Sequence, residues 1–178
     1  PNKLNQALDY YYESYQKYIN EMWAEKLGLD QFKIGDNELI IELVRLLQIV
    51  ETDMTIFFRL LSTIKKPEIS HLKNAFYSIE GIPESQWNFW LERWWDRVNH
   101  TPDQDKMKTS NPKYVLRNWM AQLAIDDAEK GDFTIALELY NMLKKPYSEQ
   151  QEYEEKWFKK RPEWARHRVG CSMLSCSS

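Results

Sequence analysis

The sequence predicts an all-α protein, an irregular multi-helix bundle of about seven to nine helices with an extended C-terminal tail. Three observations carry that prediction. Aromatic residues are abundant, with eight Trp, ten Tyr and seven Phe among 178 residues, so a core can be filled. Turn formers are few, with five Gly and seven Pro. Sparse punctuation between long periodic stretches means helices joined by short loops, not a many-stranded sheet. Finally, apolar residues recur at three- and four-residue steps through most of the chain.

In chain order, the first helix runs from Leu4 to Leu27. Leu4, Leu8, Tyr11, Tyr15, Tyr18 and Met22 share one side, and Gly28 stops the pattern as a C-terminal glycine does. Asp36 is placed to N-cap the second helix. Leu39 to Val50 is apolar nearly all round, broken only by Glu42, Arg45 and Gln48, the pattern of a helix central to a bundle. A turn at Thr52 and Asp53 starts a short helix with Ile56, Phe57, Leu60, Leu61 and Ile64, and Lys65-Lys66-Pro67 closes it. A further short helix is expected around His71 to Ile79. Pro83 suits the first position of the next one, which carries Trp87, Trp90, Leu91, Trp94 and Val98 on one face. Thr101-Pro102-Asp103-Gln104 reads as a capping box, and Ser110-Asn111-Pro112 interrupts the brief helix it opens. Tyr114 to Lys130 is the next helix, closed by Gly131. Asp132 caps one that runs to about Leu143. Ser148 and Gln151 form another capping box, opening Glu149 to about Lys160. After Arg161-Pro162 the pattern fades. The expected organisation is a helical domain over 1–160, the C-terminal part of a longer protein, and a basic, aromatic linker with a Cys-containing tail over 161–178. The start on Pro1, with a helical pattern at once, reads as a cut in a longer chain.

Composition narrows function. The formal net charge is −3, whereas a general nucleic-acid binder is clearly basic, so no nucleic-acid partner is expected. No apolar run reaches the roughly 18 residues of a membrane span, so no membrane partner is expected either. Two cysteines near the end are no disulfide framework, and a reducing, cytoplasmic setting is the default.

Several groups have the residue types of a chemical site, and each has a structural reading beside it. Glu68-x-x-His71 has the spacing of one half of a di-iron site, but a second such pair is missing and Pro67 sets it at an exposed helix start, so no metal site is assigned. Trp87, Trp90 and Trp94 could stack bases, yet Glu84, Glu92 and Asp96 oppose a positive groove, and core packing is favoured. Asp126 and Asp127 point about 100° apart on a helix and read as a solvated face. Gly131 to Ala136 with Tyr140 resembles the inner turn of a tetratricopeptide helix pair, a single hairpin where a solenoid needs about three units. Lys156 to Arg168 interleaves basic residues with Trp157, Phe158 and Trp164. Arg161, Trp164, Arg166 and Arg168 are its candidates for docking on another part of the parent protein, against the alternative of a solvated helix end. Cys171 and Cys176 lie near Arg166, His167 and Arg168, which favour thiolate; the plain alternative is inert tail thiols. No Gly-rich phosphate loop and no protein-kinase signature is present, and no catalytic residue or cofactor-binding residue is assigned.

Four segments carry a family resemblance. They are Met22-Trp23-Ala24-Glu25-Lys26-Leu27-Gly28-Leu29; Asp53 through Leu61; Asn111-Pro112-Lys113-Tyr114-Val115-Leu116-Arg117-Asn118-Trp119, continuing through Ala121-Gln122 to Ala128-Glu129-Lys130-Gly131-Asp132; and Arg161-Pro162-Glu163-Trp164 with the ending Ser175-Cys176-Ser177-Ser178. In order and spacing they resemble the C-terminal third of the selenoprotein O family, pseudokinase-fold protein AMP-transferases. The resemblance implies a parent that transfers AMP from ATP to hydroxyl side chains of protein substrates, using Mg or Mn, through a kinase-like core outside these residues. That core is the expected partner of this chain, in the cytoplasm or, in a eukaryote, the mitochondrion. No residue here matches the family's nucleotide or metal positions. Cys176 corresponds to the family's reactive selenocysteine or cysteine, which implies a redox role. Met173 stands where selenoprotein members have a second cysteine, so the pairing partner is Cys171 or a cysteine of the missing part. The alternative of a different class is a freestanding helical interaction module built on the tetratricopeptide-like hairpin.

Overall fold

The computed structural model describes residues 2–171. Among them the regular structure is helical: eight α-helices, two short 3-10 segments and one isolated antiparallel bridge between Thr52 and Phe76. The all-α class is as the sequence predicts. The residues group into two compact units. Among the described residues, one comprises those up to Thr52 together with Phe57–Asn111, and the other comprises Asp53–Ile56 with those from Pro112 to Cys171. Residues 161–171 belong to the second unit, with no division at 160/161.

In the first unit, α1 (Asn2–Lys26) ends where expected. Gly28 takes φ +68°, its amide donates to Glu25 O at 3.2 Å and the Leu29 amide donates to Ala24 O at 2.8 Å, a Schellman closure. A Cβ on Gly28 would lie 2.8 Å from Met107 Sδ, so both backbone and space require glycine. Helix α2 (Asp36–Ile49) buries Leu39, Ile40, Leu43, Leu46 and Leu47. It is not the central helix its composition suggests, because Ile41 and Ile49 are exposed. Asp36 is not its N-cap either. Gly35 holds that position, while the Asp36 carboxylate accepts from the Lys33 amide and from Arg97.

Helix α3 (Met54–Leu61) opens as expected on Asp53, whose Oδ1 accepts from the Ile56 amide at 3.1 Å. The next segment, Ile69–Ala75, is a 3-10 helix shorter than the expected His71–Ile79 element, because Phe76 turns extended to pair with Thr52. Helix α4 (Glu84–Arg97) starts one residue after Pro83. Its Trp87, Trp90, Leu91 and Trp94 are fully buried, so the tryptophan stripe is core. Two indoles also find acceptors: Trp90 Nε1 donates to Leu39 O at 2.8 Å and Trp94 Nε1 to Leu27 O at 2.9 Å. Helix α5 (Gln104–Ser110) is capped by Asp103, not Thr101, through a bond from the Lys106 amide.

In the second unit, α6 (Asn118–Ala128) and α7 (Thr134–Leu143) pack as a hairpin across Gly131. Residues 114–117, expected to be helical, are not. The Lys113 and Tyr114 amides both donate to Pro146 O, and Tyr114 Oη donates to the carbonyls of Glu149 and Gln150. Tyr140, the aromatic of the tetratricopeptide-like pattern, is exposed. Helix α8 (Gln151–Trp157) follows Gln150 in the left-handed region, with no capping box from Ser148. Gln150 Nε2 instead donates to Met142 O and Lys145 O, closing the end of α7. The core of this unit holds Tyr114, Trp119, Met120, Leu139, Met142, Trp157, Ala165 and Cys171. The stretch expected to be extended contains a 3-10 turn, Glu163–Ala165, with Ala165 fully buried.

Candidate functional site

The first unit concentrates its buried polar chemistry where the end of α1 meets α3 and α5. Lys26 Nζ donates to Asn111 Oδ1 at 2.9 Å, and Asn111 Nδ2 donates back to Lys26 O at 2.9 Å and to Ser62 Oγ at 3.2 Å. Arg59, 3% exposed, donates from Nη1 to the carbonyls of Lys108 and Asn111, both at 3.1 Å. Lys26 also lies 4.3 Å from the centre of the Phe58 ring. Burial pushes its pKa below the usual lysine value. Each polar atom of Asn111 is thereby engaged, which accounts physically for an Asn-Pro break after α5.

A second cluster surrounds Arg97. Its Nε and Nη2 donate to the two Asp36 oxygens at 2.8 and 3.0 Å, Nη1 donates to Asp30 at 2.9 Å, and Nη2 also to Gln31 O at 2.6 Å. Asp36 and then Asp30 raise the Arg97 pKa. Hydrogen bonds from Lys33 and Arg97 hold the Asp30 carboxyl far below the ordinary aspartate range. A cleft of about 320 Å³ opens beside this cluster, lined among others by Gly28, Asn99, Asp103 and Lys106. The Lys106 amine is turned to Leu29 O at 2.9 Å. These groups satisfy one another, so the cluster sets the loop between α1 and α2 and the end of α4. It holds no group poised for proton transfer.

In the second unit, Arg117 grips Asp53 with both terminal nitrogens, Nη1 on Oδ2 and Nη2 on Oδ1. Asp53 is 7% exposed. Lys113, 5% exposed, reaches Glu154 at 2.7 Å and Glu149 at 3.1 Å. Both arginine and lysine belong to the Asn111–Trp119 run singled out in the sequence, and both are engaged in ion pairs within this unit.

The residues expected to dock or react are distributed as follows. Arg161 is half-buried and Trp164 is 44% exposed. Arg166 pairs with Glu163 at 3.2 Å, and Arg168 donates to Asp126 at 2.7 Å while lying over the Trp164 ring. The basic stretch is therefore partly used to fasten its own segment to α6. Asp126, expected on a solvated face, is half-buried, and bonds from Gln122 and Arg168 lower its pKa. Cys171 is a free thiol, 8% exposed among the second unit's core residues. Cys176 lies outside the described residues. Glu68 and His71 are exposed, and the His71 ring faces the Glu68 carbonyl, not its carboxylate. Among the described residues no three His, Cys, Asp or Glu side chains come together as a metal set.

Sequence reasoning did not foresee Lys26, Arg59 or Arg97. Their partners lie tens of residues away, and no local spacing encodes them. The segments that carry the family resemblance do contain most of these residues: Lys26 lies in Met22–Leu29, Arg59 in Asp53–Leu61, and Asn111, Lys113 and Arg117 in the Asn111–Trp119 run.

Comparison with known proteins adds a separate line of observation. A family model described as protein adenylyltransferase SelO matches residues 1–144. The protein nucleotidyltransferase YdiU of Flavobacterium johnsoniae is 47% identical over 188 residues, covering 98% of this chain and 36% of the relative. The YdiU proteins of Rhodopirellula baltica and Aromatoleum aromaticum are each 41% identical, covering 98% of this chain and 37% and 35% of their own lengths. The chain thus spans little more than a third of the curated relatives it matches.

Proposed function

This chain belongs to the family of protein adenylyltransferase SelO, and on that premise we propose that it is the non-catalytic, helical C-terminal part of a protein nucleotidyltransferase. In this reading the portion outside these residues, a kinase-like core, transfers AMP from ATP to hydroxyl side chains of protein substrates. Coverage is the observation that supports it: 98% of this chain matches only 36% of its relative. ATP and Mg or Mn belong to that outside portion. The donor set here does not fit a metal, since no three ligating side chains converge among the described residues, and no step is assigned to them. The role of these helices is mechanical. Fully buried Trp87, Trp90 and Trp94 and the internally paired arginines give a stiff support.

The experiment compares the whole protein with this chain alone, using ATP labelled at the α-phosphate and a protein acceptor. Label transfer is expected from the whole protein and not from the chain. Transfer by the chain alone would overturn the reading.

Cys176 is the redox group of the same proposal. Oxidation joins its sulfur to a second cysteine sulfur, and two electrons and two protons pass to an oxidant such as a peroxide. Burial of Cys171 in an apolar core favours an inert thiol. That burial supports, of the two candidate partners, a cysteine in the part of the protein outside this chain. Peptide mapping of the whole protein after mild peroxide, without reductant, is expected to find Cys176 bridged and Cys171 free. A free Cys176 would remove the redox role.

A further inference from the structure

Helix α1 is anchored only at its end. From Lys3 to Trp23 none of its residues is buried, and burial begins at Ala24. Yet Leu4, Leu8, Tyr11, Tyr15, Tyr18 and Met22 follow one another at alternating steps of four and three. That is the 3.5-residue repeat of a helix seam. All six are exposed, from 38% at Met22 to 67% at Leu4. The stripe is roughly 27 Å long at 1.5 Å per residue. The charged residues Asp9, Glu13 and Lys17 lie away from it. A helix in water draws most of its stability from packing its apolar face, and this one has no cover among the described residues.

We propose that the Leu4–Met22 seam of α1 docks an apolar helical surface of the same protein, in the part outside this chain. The proposal rests on the reading that this chain is one part of a longer transferase. Two observations choose that occupant. The relatives carry nearly two-thirds of their length beyond what this chain spans, ample for such a surface. The positions flanking the seam are Asn5, Ala7, Tyr12, Ser14, Ile19 and Glu21, of which Glu21 is the one charge. A two-stranded pairing of identical helices selects itself through charged flanks. Flanks with a single charge lack the complementary pairs of such a dimer, and Ala7, Tyr12 and Ile19 widen the apolar face, as in a helix packed into a larger body. The tyrosine rings would bury their bodies with hydroxyls at the rim.

Hydrogen exchange on the whole protein tests this. Amides of residues 4–22 are expected to be protected, and Leu8→Asp with Tyr15→Asp is expected to speed their exchange by at least about tenfold. Amides of α4 serve as the folding control and should not change, since both substituted side chains are exposed. Unprotected amides over residues 4–22 in the unsubstituted protein would overturn the proposal. So would protection that grows with protein concentration alongside a doubled mass in light scattering, because the occupant would then be a second copy. AMP transfer is measured in parallel. Protected α1 with no transfer sinks the functional reading and leaves the docking seam standing; transfer with unprotected α1 does the reverse.

Discussion

Lys26 and Asn111 hold each other twice. The lysine amine donates to the asparagine Oδ1, and the asparagine Nδ2 donates to the lysine carbonyl, each at 2.9 Å. The pair closes α1 against the residue that ends α5. Asn111→Ala removes both bonds and the one to Ser62, leaving the Lys26 carbonyl and a half-buried amine without partners. A loss of about 3 kcal/mol is expected, read as a lowered urea midpoint with unchanged slope. A shift within error would mean that the node carries no stability.

Glycine at position 28 serves two independent demands. The positive φ disfavours any side chain by about 1 kcal/mol, and the close approach of Met107 adds a steric part. Gly28→Ala is expected to lower stability by about 2 kcal/mol in total. In a Met107→Ala background the steric part is gone, so the penalty should shrink by roughly half. A double-mutant cycle on thermal melting measures this coupling. Additive effects would show that the methionine plays no part.

Arg117 and Asp53 form a fork that only arginine can complete. Arg117→Ala leaves a buried carboxylate uncompensated, with an expected cost of about 3–5 kcal/mol. Arg117→Lys restores the charge but not the two parallel bonds, and should recover only part of that loss. Equal stability of the alanine and lysine variants, by calorimetry, would contradict this account.

Asp126 makes the fastening of the 161–171 segment dependent on acid. Bonds from Gln122 and Arg168 lower its carboxyl pKa in the folded state, so the unfolded chain binds the proton more readily. Its contribution is complete above the unfolded aspartate value of about 3.9 and fades as pH falls through the lower folded value. Asp126→Asn should flatten the fall in urea midpoint as the pH drops below about 4. An unaltered pH profile would show that the carboxylate is not part of the fastening.

Local periodicity determined by itself that this protein is helical, where most helices lie, and which faces are apolar. The tryptophan stripe of α4 and the Gly28 stop were both legible, because a 3.6-residue repeat and a glycine's conformational freedom are properties of a few neighbouring residues. Family membership was legible too, in the Asn111–Trp119 run. Tertiary structure alone decided which of those faces are used. The stripes of α1 and α4 follow similar spacing, yet one stays exposed and the other forms the core. Asp36 reads as a cap and instead serves Arg97, 61 residues away. Tyr114 to Arg117 reads as helix, but its first amide donates to Pro146 O. In each case spacing states what a segment could bury or bond. Whether it does so depends on partners distant in sequence, whose positions no local pattern contains.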